Sequence, residues 1–105
     1  PQQDWDFFLK VGEATRQATE LAARKSSLTH PLARAALQKD MLSRREALGL
    51  IKGEIEKRLA AAEERLQVLE KNPEDLAALA EEFAFLQKNE TSVREALLAL
   101  DQGLA

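Results

Sequence analysis

The sequence predicts an all-α protein, an elongated and staggered antiparallel three-helix bundle with helices over residues 3–28, 31–71 and 73–104. Two features of composition and one of pattern carry this reading. Glycine and proline number only 4 and 3 in 105 residues. Ala, Leu, Glu, Gln, Lys and Arg dominate, as they do in long helices and coiled coils. Apolar residues recur at spacings of three and four along most of the chain, and the pattern is interrupted at Pro31 and Pro73. All 105 residues are read as one helical-bundle domain.

In the first helix Phe7, Val11, Ala14, Ala18, Leu21 and Leu28 form one stripe, flanked at its start by Trp5 and Phe8. Its middle is alanine, which lets a neighbouring helix approach closely. The aromatic group is therefore expected to supply most of the burial energy, as a plug at one end of the bundle. The stretch SSLTHP ends this helix, because proline cannot continue it and biases the preceding residue away from helical angles. Thr29 or His30 is then the N-cap of the second helix, with Pro31 in its first turn.

The second helix keeps phase through Leu37, Met41, Leu48, Ile51, Ile55, Leu59, Ala62, Leu66 and Leu69. Gly49 and Gly53 interrupt it as G-x-x-x-G, expected to be a close packing point or a slight bend. The segment NPED starts the third helix: Asn72 is expected to accept from exposed amides, Pro73 takes the first position, and Glu74 and Asp75 suit the positive end of the helix dipole.

The polar patch QKNETS, residues 87–92, decides what the last third of the chain is. The segments LEKNPEDLAAL and REALLALDQGLA resemble the helix–proline–helix cadence of the tetratricopeptide repeats, over about the last 45 residues. That resemblance implies a short helix pair with a turn near the patch and a peptide-binding role; Phe83 stands near where that family has a small residue. Ser92 and Glu95 also form the S-x-x-E pattern of a capping box. Phase points the other way. Leu79, Phe83, Leu86, Glu90, Val93, Leu97, Leu100 and Leu104 follow alternating steps of four and three, a beat that a turn would reset. One continuous helix is expected.

Folding the three rods at Thr29 and Asn72 places Trp5 opposite Glu54 and Leu104 opposite Asp40. A common core of Trp5, Phe8, Val11, Leu48, Ile51, Val93, Leu97 and Leu100 is expected between Met41 and Ile55. Beyond that layer the second and third helices are expected to run as a bare hairpin. Its seam of Leu59, Leu66, Leu69, Leu76, Leu79, Phe83 and Leu86 lacks a cover, with Phe85 facing outward about 200° from Phe83. A second copy, giving a homodimer, or another protein is the expected cover.

Charge is uneven. Residues 1–71 hold 13 Lys and Arg against 11 Asp and Glu, and residues 72–105 hold 2 against 7. The acidic tail suits a basic protein partner and speaks against nucleic acid, which wants a basic face. Membrane binding is not expected either, since no apolar run approaches a span of roughly 18 residues. Cysteine is absent, so disulfides and thiolate chemistry are excluded. No metal, cofactor or small-molecule substrate is expected: His30 is the only histidine, glycine-rich phosphate loops are missing, and the paired acids fit solvated faces. Arg44 and Arg45 are the one basic cluster suited to an anion or an acidic partner. Helical pairing is expected for Glu20 with Arg24, Asp40 with Arg44 and Glu54 with Arg58.

The functional expectation is a non-enzymatic, cytoplasmic module for protein–protein interaction or oligomerisation through helix packing. One alternative is a small assembly or secretion chaperone that shields a partner helix. A more distant one is nucleic-acid or membrane-surface binding through Arg34, Arg44, Arg45, Lys52 and Arg58.

Overall fold

The computed structural model describes the backbone of residues 2–68 and 72–105, and the side chains of residues 5–68 and 72–105. Three helices account for nearly all of it: α1 (Gln2–Arg24), α2 (Pro31–Val68) and α3 (Pro73–Leu104), with a 3₁₀ turn at Lys25–Ser27 closing α1. Residues 69–71, where the second helix was expected to end, lie outside the described residues.

Each boundary has a local cause. The Ser27 hydroxyl donates to the Arg24 carbonyl at 2.9 Å, and Leu28 leaves the helix with extended angles. His30 is the cap of α2: its Nδ1 accepts from the Leu32 amide at 3.2 Å, and its carbonyl accepts from Arg34 at 2.9 Å. Asn72 holds the cap position of α3 with extended angles and Pro73 following it, but its side chain makes no capping bond. Its carbonyl takes the Leu76 amide at 3.0 Å instead.

Residues 87–92 are helical throughout, so neither the repeat-type turn nor the Ser92 capping box forms. The polar side chains bond back into their own helix. Asn89 donates to the Phe85 carbonyl at 2.8 Å, Thr91 to Gln87 at 3.1 Å and Ser92 to Lys88 at 3.2 Å. Groups that compete with the backbone in a turn are here satisfied along the helix, and the phase of the apolar stripe runs on.

The chain goes up, down and up. Phe8 meets Phe85 near one end, and Lys25 Nζ reaches the Ala105 carbonyl at 3.4 Å near the other, so α1 and α3 are parallel. Arg45 Nε lies 2.6 Å from Asp101, and Arg65 lies 3.6 Å from Glu82, so α2 runs antiparallel to α3. The molecule measures 61 × 25 × 17 Å with a radius of gyration of 17.3 Å. A compact domain of this length would have about 13 Å.

One core joins all three helices, with Val11, Leu48, Ile55, Leu86, Val93 and Leu100 almost completely enclosed. Each large aliphatic side chain so enclosed contributes about 1.5–3 kcal/mol. No polar or charged side chain is buried among the described residues. One close approach between α1 and α3 is at Ala22, outside the expected stripe. A Cβ built on Gly103 of α3 would stand 3.9 Å from the Ala22 Cα and 3.0 Å from Met41 Sδ, so the glycine makes room for the α1 backbone and the Met41 side chain.

The stagger differs from the expected one. Arg58, not Glu54, faces the start of α1, its guanidinium 3.9 Å from the Phe7 ring centre. Leu37 and Leu86 belong to the core and Leu59 packs against it, so the three-helix layer is longer than Met41 to Ile55. The connection explains the shift. Arg24 and Asp40 border the same surface depression, so residues 25–30 run back along α2 instead of making a tight turn, and α1 sits further along its neighbour.

Trp5 is not part of the plug; it is 59% exposed. It lies six residues before Val11, about 120° round the helix, whereas Phe7 and Phe8 lie about 40° and 60° to either side of Val11. Phe7 therefore turns to α2 and Phe8 to α3. The G-x-x-x-G of α2 is not a packing point within the chain either, since a Cβ at Gly49 or Gly53 would meet nothing within 4 Å.

Candidate functional site

The residues expected to form an uncovered seam separate into two groups. Leu86 is enclosed in the main core, and Leu59 is half-buried against it. Leu79 is enclosed with Ala62 between α2 and α3. These three are satisfied within the chain. Leu66, Leu76 and Phe83 are only half-buried, while Leu69 lies outside the described residues.

Phe85 was expected to face solvent. It is 43% exposed, but its ring lies 4.6 Å from that of Phe8, at 68° in an edge-to-face contact. The reasoning from a bare hairpin puts the side opposite the seam in water; with α1 alongside, that side is an interface. Phe7 and Phe8 pack edge to face on each other, 5.5 Å apart, completing an aromatic row across the end of the layer.

Past this row α2 continues ten residues beyond Arg58 to Val68, and α3 starts twelve residues before Phe85 at Pro73. The two form a hairpin about 15 Å long. On it lies a depression of about 310 Å³, with Leu79 and Ala78 between Arg65, Asp75 and Glu82. Its rim holds two acids, Asp75 and Glu82, and one cation, Arg65; the other charged residues described in the hairpin, Glu63, Glu64, Glu74 and Glu81, are all acidic. Arg65 and Glu82 are both largely exposed, so their 3.6 Å pair adds little stability and can open.

Sequence reasoning found the apolar members of this surface but missed its polar rim. Arg65 and Glu82 are far apart in sequence, and only the register of α2 on α3 makes them neighbours. Arg44 and Arg45 are not brought together. Arg45 turns to α3, where Asp101 holds it at 2.6 Å, while Arg44 borders the depression on the α1 side with Arg16, Glu20 and Asp40. Adjacent helical residues diverge by about 100°, so the pair offers no joint anion site.

Of the expected helical ion pairs, Glu54–Arg58 forms at 3.3 Å. Glu20 binds Arg16 instead, at 2.8 Å, and Glu13 takes the other side of the same guanidinium at 2.6 Å. The Arg16 guanidinium donates to Glu20 and to Glu13, and these hydrogen bonds, the one to Glu20 foremost, hold its pKa above the usual value.

The described residues contain no group of three or more His, Cys, Asp or Glu placed to hold a metal ion, and no helix of theirs is long and apolar enough to cross a membrane. The class that fold and surface define is an all-α antiparallel three-helix bundle with an acidic, partly apolar hairpin tip. No protein-family model, no curated protein and no solved structure matches the chain.

Proposed function

We propose that this chain is a non-enzymatic interaction module that docks a partner helix on the tip of its α2–α3 hairpin. The observation that carries the reading is the apolar row Leu66, Leu76 and Phe83, left half-buried where α1 no longer stands over the pair. Two helices alone bury little area for the order they impose, and a third completes the layer as α1 does lower down. The acidic rim selects the partner. A helix with an apolar stripe and basic flanks gains burial from the row and attraction from Asp75 and Glu82, with charge setting approach and specificity more than affinity.

The test uses a synthetic amphipathic peptide of leucine and lysine and a scrambled peptide of the same composition. Chemical-shift perturbation by the ordered peptide is expected at residues 62–68 and 73–83, with binding lost in Phe83→Asp. Equal binding of the scrambled peptide, or perturbation spread over the whole acidic surface, removes the docking reading and leaves nonspecific charge attraction.

A further inference from the structure

A depression of about 700 Å³ lies at the end of the rod opposite the hairpin tip, between the last turns of α1 and α3 and the connection that crosses to α2. That volume is within the range of small-molecule sites. Its floor is apolar: Ala22, Ala99 and Gly103 leave room, and Leu28 closes one side. Ala22 and Leu28 rest on the main core beneath it. Ser26 and Thr29 stand on its rim.

The charge of this end is the second observation. Lys25 and Arg34 are the charged residues that line the depression, and both also line an adjoining one of about 320 Å³ between the start of α2 and the end of α3. No carboxylate lines either. Three other depressions on the molecule each carry two acids, Glu20 with Asp40, Glu20 with Glu95, and Asp75 with Glu82. In a chain of net charge −3, a cavity with two cations and no acid departs from the composition. The acids adjacent in sequence are engaged elsewhere, Asp101 by Arg45 at 2.6 Å and Glu20 by Arg16 at 2.8 Å.

The helix ends account for one cation but not for the other. α1 and α3 both finish here, and the last carbonyls of a helix carry partial negative charge. Lys25 answers that charge, donating to the Ala105 carbonyl at 3.4 Å, and the Ser27 hydroxyl covers the carbonyl of Arg24. Arg34 makes no side-chain hydrogen bond or ion pair among the described residues. It stands near the start of α2, where the helix dipole disfavours a cation and no acid in the first turn offsets it. A residue that breaks a local rule with no compensating contact in the fold points to something the fold itself does not supply. An anion at this place pairs with Arg34 and faces the positive end of α2.

We propose that this end of the bundle binds a small amphipathic anion, a carboxylate on a short hydrocarbon chain. Its head is held by Lys25 and Arg34, and its chain lies on the floor of Ala22, Leu28 and Ala99. The guanidinium suits a carboxylate because it offers two parallel hydrogen bonds, and the ammonium adds a point charge. The site stands at the far end of the rod from the hairpin tip, so it is independent of partner docking there.

The test is a titration of isotope-labelled protein with octanoate, with acetate as the head alone and octylammonium as the chain with the opposite charge. Octanoate is expected to give saturable shifts at the amides of Ala22, Leu28, Ala99 and Gly103, and octylammonium to bind about tenfold more weakly or less. Arg34→Gln should weaken octanoate by about tenfold and leave the melting temperature unchanged, because its side chain holds nothing else in the fold. Ala99→Leu, which fills the floor, should abolish the saturable shifts.

The absence of saturable shifts with octanoate overturns the proposal, and so does unchanged affinity in Arg34→Gln. Equal binding of octylammonium overturns it by showing an apolar hollow that does not select charge; equal binding of acetate does so by showing charge without the hollow. Vesicles of phosphatidylglycerol that bind where octanoate does not also overturn it, and assign the two cations to a lipid surface.

Discussion

At the scale of single residues, the aromatic row is the feature whose energetics are least obvious from sequence. Phe8 and Phe85 meet edge to face at 4.6 Å, and both are only partly buried. A double-mutant cycle with Phe8→Leu and Phe85→Leu is expected to give a coupling of about 0.5–1.5 kcal/mol. A coupling near zero would mean that the rings do not hold this geometry in solution. Leu86 is enclosed where all three helices meet, so Leu86→Ala should cost about 2–5 kcal/mol in denaturant unfolding. Gly12 behaves in the opposite sense. It sits in α1, exposed and with nothing near its missing Cβ. Gly12→Ala is expected to stabilise by about 0.5–1 kcal/mol, and destabilisation would place Gly12 against something the fold does not contain.

At the scale of the element, α3 shows how pattern and local chemistry weigh against each other. Six polar residues in a row, with a capping box at their end, are a fair local signal for a turn. The four–three beat of Leu79 to Leu104 is a longer-range signal for one helix, and it agrees with the outcome: Asn89, Thr91 and Ser92 each donate to a carbonyl one turn back, and Glu90 accepts from Arg94 one turn on. Amides of residues 87–92 are therefore expected to exchange as slowly as those of the flanking turns. Rapid exchange confined to this patch would reinstate the turn. The N-caps of α2 and α3 were legible as positions, because Pro31 and Pro73 mark them. Which group does the capping was not: the His30 ring serves in one case, and the Asn72 backbone alone in the other.

At the scale of the whole molecule, the structure is a rod with a graded interior. The three-helix layer is continuous from Leu37 to Leu59 on α2, and among the described residues of the hairpin beyond it only Ala62 and Leu79 are enclosed. Stability should follow that gradient, with the tip opening locally at lower free energy than the centre. Hydrogen exchange is expected to be faster at residues 62–68 and 74–80 than at residues 48–55. Uniform protection would contradict a tip that lacks a third helix. Scattering from the monomer should give a radius of gyration near 17.3 Å, and a value near the compact figure of about 13 Å would remove the stagger.

Sequence alone determined the number of helices, their order and most of the buried positions, since period and proline are local properties that each segment carries by itself. Val11, Leu48, Ile55, Val93 and Leu100 were all legible as core on that basis. What only the tertiary structure decided was how far each helix slides along its neighbour. A connection of six residues permits many offsets, and a helical stripe presents nearly the same face after every seven residues, so periodicity does not choose among registers. That one quantity set Phe85 against Phe8 and reduced the predicted seam to Leu66, Leu76 and Phe83 at the tip. Register is settled by the sum of side-chain fits along the whole contact, and such a sum belongs to pairs of helices rather than to any stretch of sequence.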